Sequence, residues 1–148
     1  MNEFLEKVQR VKPIVRVRGI QYDKEFFLLT EIKAEKQKLI DELTKYQEKY
    51  IQAVTELNSE RESGRREKLD ILEIGIEAIK SKWIEILKQI RVIEAKEQAQ
   101  EQAVKIAKRN LKSVEKLLEI YNEELIEFEK HEDLKVMDDI AVRMFNNN

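Results

Sequence analysis

The sequence predicts an all-α fold: a long antiparallel coiled-coil hairpin of two helices, one domain over residues 1–148. Three observations carry this expectation. Charged residues make up 39% of the chain and hydrophobic ones 42%, with only three Gly and one Pro, a mixture that suits long helices rather than a compact globule. Apolar residues recur with a period of 3.5 in both halves. Between the halves lies one break, "NSERESGRREK" at 58–68, which has no apolar residue and holds the turn formers Asn58, Ser59, Ser63 and Gly64.

Helix one is expected over 3–60. With Phe26, Ile40 and Val54 at heptad position a, position d collects Tyr22, Leu29, Lys36, Leu43, Tyr50 and Leu57. The same phase carried backwards gathers Leu5, Val8 and Val15, with Lys12 and Gly19 as misfits. Pro13 is expected to end or kink the helix near it, because its ring clashes with the preceding turn and it has no N–H. Ile32, Leu39, Tyr46 and Ala53 all fall at g, which widens the seam.

Helix two is expected over 66–145. Leu69 at a starts the series Ile76, Trp83, Ile90, Glu97, Val104, Leu111, Leu118 and Leu125. The d series runs Leu72, Ile79, Ile86, Ile93, Gln100, Ala107, Val114, Tyr121 and Phe128. Only Glu97 and Gln100 are polar among these eighteen positions. Such a run in one phase marks a coiled-coil helix, and at 1.5 Å per residue about eighty residues reach roughly 120 Å.

A short turn makes the helices antiparallel neighbours, and the polar seam positions then choose the register. If facing residue numbers add to 133, Lys36 meets Glu97, Lys33 meets Gln100, Tyr50 meets Trp83 and Leu5 meets Phe128. A slip of one heptad sets Lys36 against Ile90 and Leu29 against Glu97. That burial of charge against apolar partners costs several kcal/mol unless the charge reaches water. The first register is preferred.

Chemistry is scarce. There is no cysteine, so no disulfide, thiolate metal site or Cys nucleophile is available. The single histidine, His131, has no second histidine to share a metal. The three glycines stand apart at 19, 64 and 75 and form no phosphate loop. No catalytic residue, metal ligand or cofactor is assigned, and the chain is not expected to be an enzyme. The 28 basic and 30 acidic residues are interspersed, which argues against a nucleic-acid face. No apolar run approaches the ~20 residues of a membrane span, and the N-terminus "MNEFLEKVQR" is too charged for a secretory leader. The default expectation is a soluble cytoplasmic protein, with no direct membrane insertion.

Two apolar surfaces lie off the seam. Ile71, Ile74 and Ala78, at c, f and c, form a stripe on the outer face of helix two beside the turn, with Ile84 and Leu87 nearby. The second is "KVMDDIAVRMF", 135–145, where Val136, Met137, Ile140, Met144 and Phe145 form an amphipathic stripe while Asp138, Asp139 and Arg143 take other faces. Helix one ends before it can cover these residues. They need an outside partner, or they fray or fold back.

A charged first helix, a mid-chain turn, a longer second helix and a tail of the form Lys-x-Met-Asp-Asp-Ile-Ala-x-Arg together resemble the FliJ/YscO family. Those proteins are small stalks of flagellar and injectisome type III export machines. The residues that match the family's C-terminal segment are Met137, Asp138, Asp139, Ile140, Ala141 and Arg143. The resemblance implies that the end bearing both termini enters a hexameric export ATPase, bound by those tail residues with Met144 and Phe145. It implies that the outer stripe of Ile71, Ile74 and Ala78 meets the cytoplasmic ring of the export gate. Substrate chaperones are further partners of some members. The location implied is cytoplasmic, at the base of a membrane-embedded apparatus, and the free chain is expected to be a monomer. The alternative is a coiled-coil scaffold or spacer, dimeric through the wide face of helix one or paired as two hairpins.

Overall fold

The structure, a computed structural model, describes residues 2–147. It contains α1 (Glu3–Glu62) and α2 (Leu69–Asn146), and no strand among the described residues. The chain is an all-α hairpin of two long helices packed against each other.

Local chemistry explains where the helices start and stop. The side-chain Oδ1 of Asn2 accepts from the N–H groups of Phe4 (3.0 Å) and Leu5 (3.3 Å), which caps α1. Glu3 and Glu6 in the first turn complement the helix dipole. Pro13 does not end α1, which continues through it. Both Pro13 and Gln9, whose carbonyl loses its donor there, are exposed, so that oxygen is left to solvent. Nor do Asn58 and Ser59 belong to the turn, because the helix continues through them to Glu62. It stops at Gly64, whose φ of 75° lies in the left-handed region that a side chain would resist. The Ser63 N–H donates to the Ser59 carbonyl (3.1 Å), and the Gly64 N–H to that of Arg61 (3.3 Å). Across the turn, Arg61 donates to Glu73 at 3.1 Å.

The chain divides into two compact units, one of residues 26–102 and one of residues 2–25 with 103–147. In the turn-proximal unit, Leu29, Leu57, Ile76, Ile86, Ile90 and Ile93 are buried. Lys36 pairs with Glu97 at 3.5 Å and reaches Glu94 at 3.8 Å. Tyr50 meets Trp83 edge to face, with ring centroids 5.6 Å apart. Both contacts are those of the register whose numbers add to about 133. Lys33 departs from it: the residue is exposed, and Ile32 at g is shielded in its place. Phe26, also at a, is 52% exposed.

In the terminal unit the same displacement governs α1. Val8 and Val11 are buried, at d and g, while Lys12 at a is exposed. Phe4 at g stacks on Phe128 with centroids 5.1 Å apart, and Leu5, expected in that role, is exposed. Lys7 lies over the rings of Phe4 (5.9 Å) and Tyr121 (5.5 Å), burying its stem beside the seam. In α2, by contrast, all eighteen expected a and d residues from Leu69 to Phe128 are buried or half-buried.

Two outcomes check this packing. Lys36→Glu places a third carboxylate beside Glu94 and Glu97 and lowers the melting temperature, and adding Glu97→Lys restores most of it. A double-mutant cycle over the pair should return a coupling on the order of 1 kcal/mol. A methyl at Gly19 would sit 4.0 Å from the Leu111 side chain, in ordinary contact. Gly19→Ala should therefore raise stability by about 0.5–1 kcal/mol, whereas Gly64→Ala, strained at positive φ, should lower it.

Candidate interaction surfaces

No described side chain is fully enclosed. An open groove of about 770 Å³ lies beside Phe4, Ile120, Phe128 and His131. His131 itself is exposed, and no group of three His, Cys, Asp or Glu among the described residues is placed to hold a metal. The hydroxyls of Thr30, Thr44, Thr55 and Ser113 donate to the carbonyl four residues back, as helical Ser and Thr do. Recognition surfaces are what the chain offers.

The C-terminal surface begins where the seam ends. Phe128 is the last half-buried residue, and every described residue from 129 onward is exposed. The helix nevertheless persists to Asn146. Its exposed apolar side chains do not fold back: Met137 is 67% exposed, Ile140 51%, Met144 66% and Phe145 82%. At 100° per residue, Val136, Met137, Ile140 and Met144 fall within an arc of about 100°. Phe145 lies about 80° beyond that arc, on the side of Asp138, and Asp139 and Arg143 occupy the rest of the helix. Arg143 in the last turn also suits the negative end of the helix dipole.

The turn-proximal surface is smaller. Ile71 and Ile74 are each 71% exposed, and Ala78 is exposed one turn on. Gly75 between them has open space where a Cβ would project. Together they form a shallow apolar strip on the outer face of α2. Of the four residues expected in a polar seam layer, the structure brings together Lys36 and Glu97, leaves Gln100 half-buried, and excludes Lys33.

A third surface escaped the reading of charge across the whole chain. From Lys7 to Tyr22, α1 carries five cations and no acid, interleaved with the exposed aliphatics Ile14, Val17 and Ile20. The signal was present in the sequence as a local run, hidden by the overall balance.

Comparison of the chain with protein families, curated proteins and solved structures finds no match.

Because the tail and the strip are exposed, changing them should leave the hairpin intact. Deletion of residues 134–148, or the pair Ile71→Asp and Ile74→Asp, should alter the melting temperature by no more than about 2 °C, the scale of surface changes. Ile93→Ala, at a residue 3% exposed, should cost about 2–4 kcal/mol. Thermal melts followed by circular dichroism make the comparison.

Proposed function

We propose that the chain is the stalk of a type III protein-export apparatus, working in the cytoplasm at the base of a membrane-embedded machine. In this reading its C-terminal segment binds the hexameric export ATPase and its outer strip meets the cytoplasmic ring of the export gate. The observation that carries the proposal is the helical tail. The tail stays helical past the end of the seam with its amphipathic stripe uncovered, on the segment that resembles the FliJ/YscO C-terminus.

The energetics are adequate for a specific contact. Full burial of a Met, Ile or Phe side chain contributes about 1.5–3 kcal/mol. Met137, Ile140, Met144 and Phe145 together supply several kcal/mol before the cost of association. Because the tail is already helical, little further ordering is required of its backbone. Arg143 pairs with an acidic rim of the ATPase, and Asp138 and Asp139 face basic groups. These charges set orientation and encounter rate more than affinity. Ile71, Ile74 and Ala78 dock on the gate ring, and substrate chaperones are additional partners. No cofactor enters this function. The stalk is linked to ATP turnover through contact alone, and each helix already has its partner, so the free chain is a monomer.

Pull-down with an export ATPase tests the reading, combined with measurement of ATP turnover. The full chain should bind and change the turnover rate, and the chain lacking residues 134–148 should do neither while keeping its melting temperature. Normal binding by the truncated chain would sink the assignment of the tail. A stable dimer by light scattering at micromolar concentration, without ATPase binding, would instead favour a scaffold.

A further inference from the structure

The terminal unit segregates charge that the net value of −2 conceals. Between Glu6 and Asp23, α1 holds Lys7, Arg10, Lys12, Arg16 and Arg18 and no acid. Between Glu101 and Glu115, α2 holds Lys105, Lys108, Arg109 and Lys112 and no acid. Asp23 and Glu115 border the region. Among the described residues, none of these nine cations forms a salt bridge. The α2 cations Lys105, Lys108, Arg109 and Lys112 line one shallow depression with Ser113 and Lys116, on the other flank of α2 from Ile106.

Aliphatic surface lies among these charges. On α1, Ile14 is 46% exposed, Val17 52% and Ile20 61%. Pro13, Ile14, Val17, Arg18 and Gln21 line one depression. Gln21 also borders the next, where Lys24 and the acid Glu25 of α1 meet Asn110 and the exposed Ile106 of α2.

We propose that the outer face of α1, from Arg10 to Lys24, docks on the surface of an anionic phospholipid bilayer. Its aliphatics would enter the boundary between headgroups and acyl chains, and its cations would meet lipid phosphates. No helix among the described residues is long and apolar enough to cross a membrane, so the contact is with the surface. Two features favour lipid over nucleic acid. Exposed β-branched aliphatics gain nothing from a sugar-phosphate backbone. There is also no aromatic residue between Phe4 and Tyr22, or between Trp83 and Tyr121, on which a base would stack. A second copy of the same face is repelled by like charge. The proposal uses neither the tail nor the outer strip, so it stands or falls independently of the ATPase reading.

The experiment is co-sedimentation of the full chain with vesicles. One set contains phosphatidylcholine alone, and the other includes roughly a third phosphatidylglycerol, an anionic surface of the kind that attracts basic segments. Binding is expected to the anionic vesicles only, weakening about tenfold in ~0.5 M salt as screening shortens the reach of the charges. The triple variant Ile14→Gln, Val17→Gln, Ile20→Gln should lose about tenfold in binding. Its helicity should be kept, because Gln forms helix better than Val or Ile. The triple variant Arg10→Gln, Arg16→Gln, Arg18→Gln should also bind less, and the pair Ile71→Asp, Ile74→Asp should bind normally. Failure to bind anionic vesicles, or equal binding to neutral ones, overturns the proposal. So does tighter binding to a single-stranded or duplex oligonucleotide that is unaffected by the aliphatic substitutions, which would make the face a nucleic-acid site.

Discussion

The ion pair of Lys36 with Glu97, 3.5 Å apart and partly shielded, is the constraint on which the turn-proximal packing depends. A seam of Leu, Ile and Val repeats itself every seven residues, so apolar contact alone barely distinguishes one register from the next. One charged residue on each helix removes that degeneracy. Their side chains are 25% and 17% exposed, open enough to keep some hydration yet too covered to be set against isoleucine at no cost. With this pair in place, Tyr50 meets Trp83 edge to face and Ile86, Ile90 and Ile93 are buried. The pair specifies an arrangement more than it stabilises one, as polar residues in coiled-coil seams do.

A second consequence follows from the narrowness of a two-helix seam. Each helix covers only one flank of the other, so an apolar residue outside a limited arc meets water unless another molecule shields it. Isolated cases are ordinary. Aligned ones are informative, because a stripe with helical spacing has the geometry of a contact. The tail from Val136 to Phe145 is such a stripe, and so is the strip at Ile71 and Ile74. The aliphatics at Ile14, Val17 and Ile20 differ from both in being set among cations. The three surfaces thus differ in chemistry: one large and Met-containing, one small and purely apolar, one cationic. Such differences suit separate partners.

The shift of the α1 seam from a toward g has a simple geometric origin. A straight helix turns about 20° per heptad relative to a strict 3.5-residue repeat. Only α1 shows this drift: towards its N-terminus g positions turn inward, while α2 keeps its phase from Leu69 to Phe128. The sequence had already placed apolar residues there, Phe4, Val11 and Ile32, and put Lys12, Gly19 and Lys33 at a. Residues that looked like misfits in a fixed phase are the outer edge of a drifting one.

The sequence by itself determined that there are two helices, that they pair as a hairpin and which eighteen positions of α2 face inward, because period and break are local properties of the chain. It also determined the Lys36–Glu97 and Tyr50–Trp83 contacts, since a charge in the seam tolerates few alternatives. Tertiary structure alone decided that Phe4 rather than Leu5 covers Phe128, that Lys33 leaves the seam and that Pro13 is accommodated. It also decided that the tail stays helical and open instead of folding back. The reason is that periodicity states that a helix has an apolar stripe, whereas the edge of that stripe which is covered depends on where the partner helix lies and where it ends.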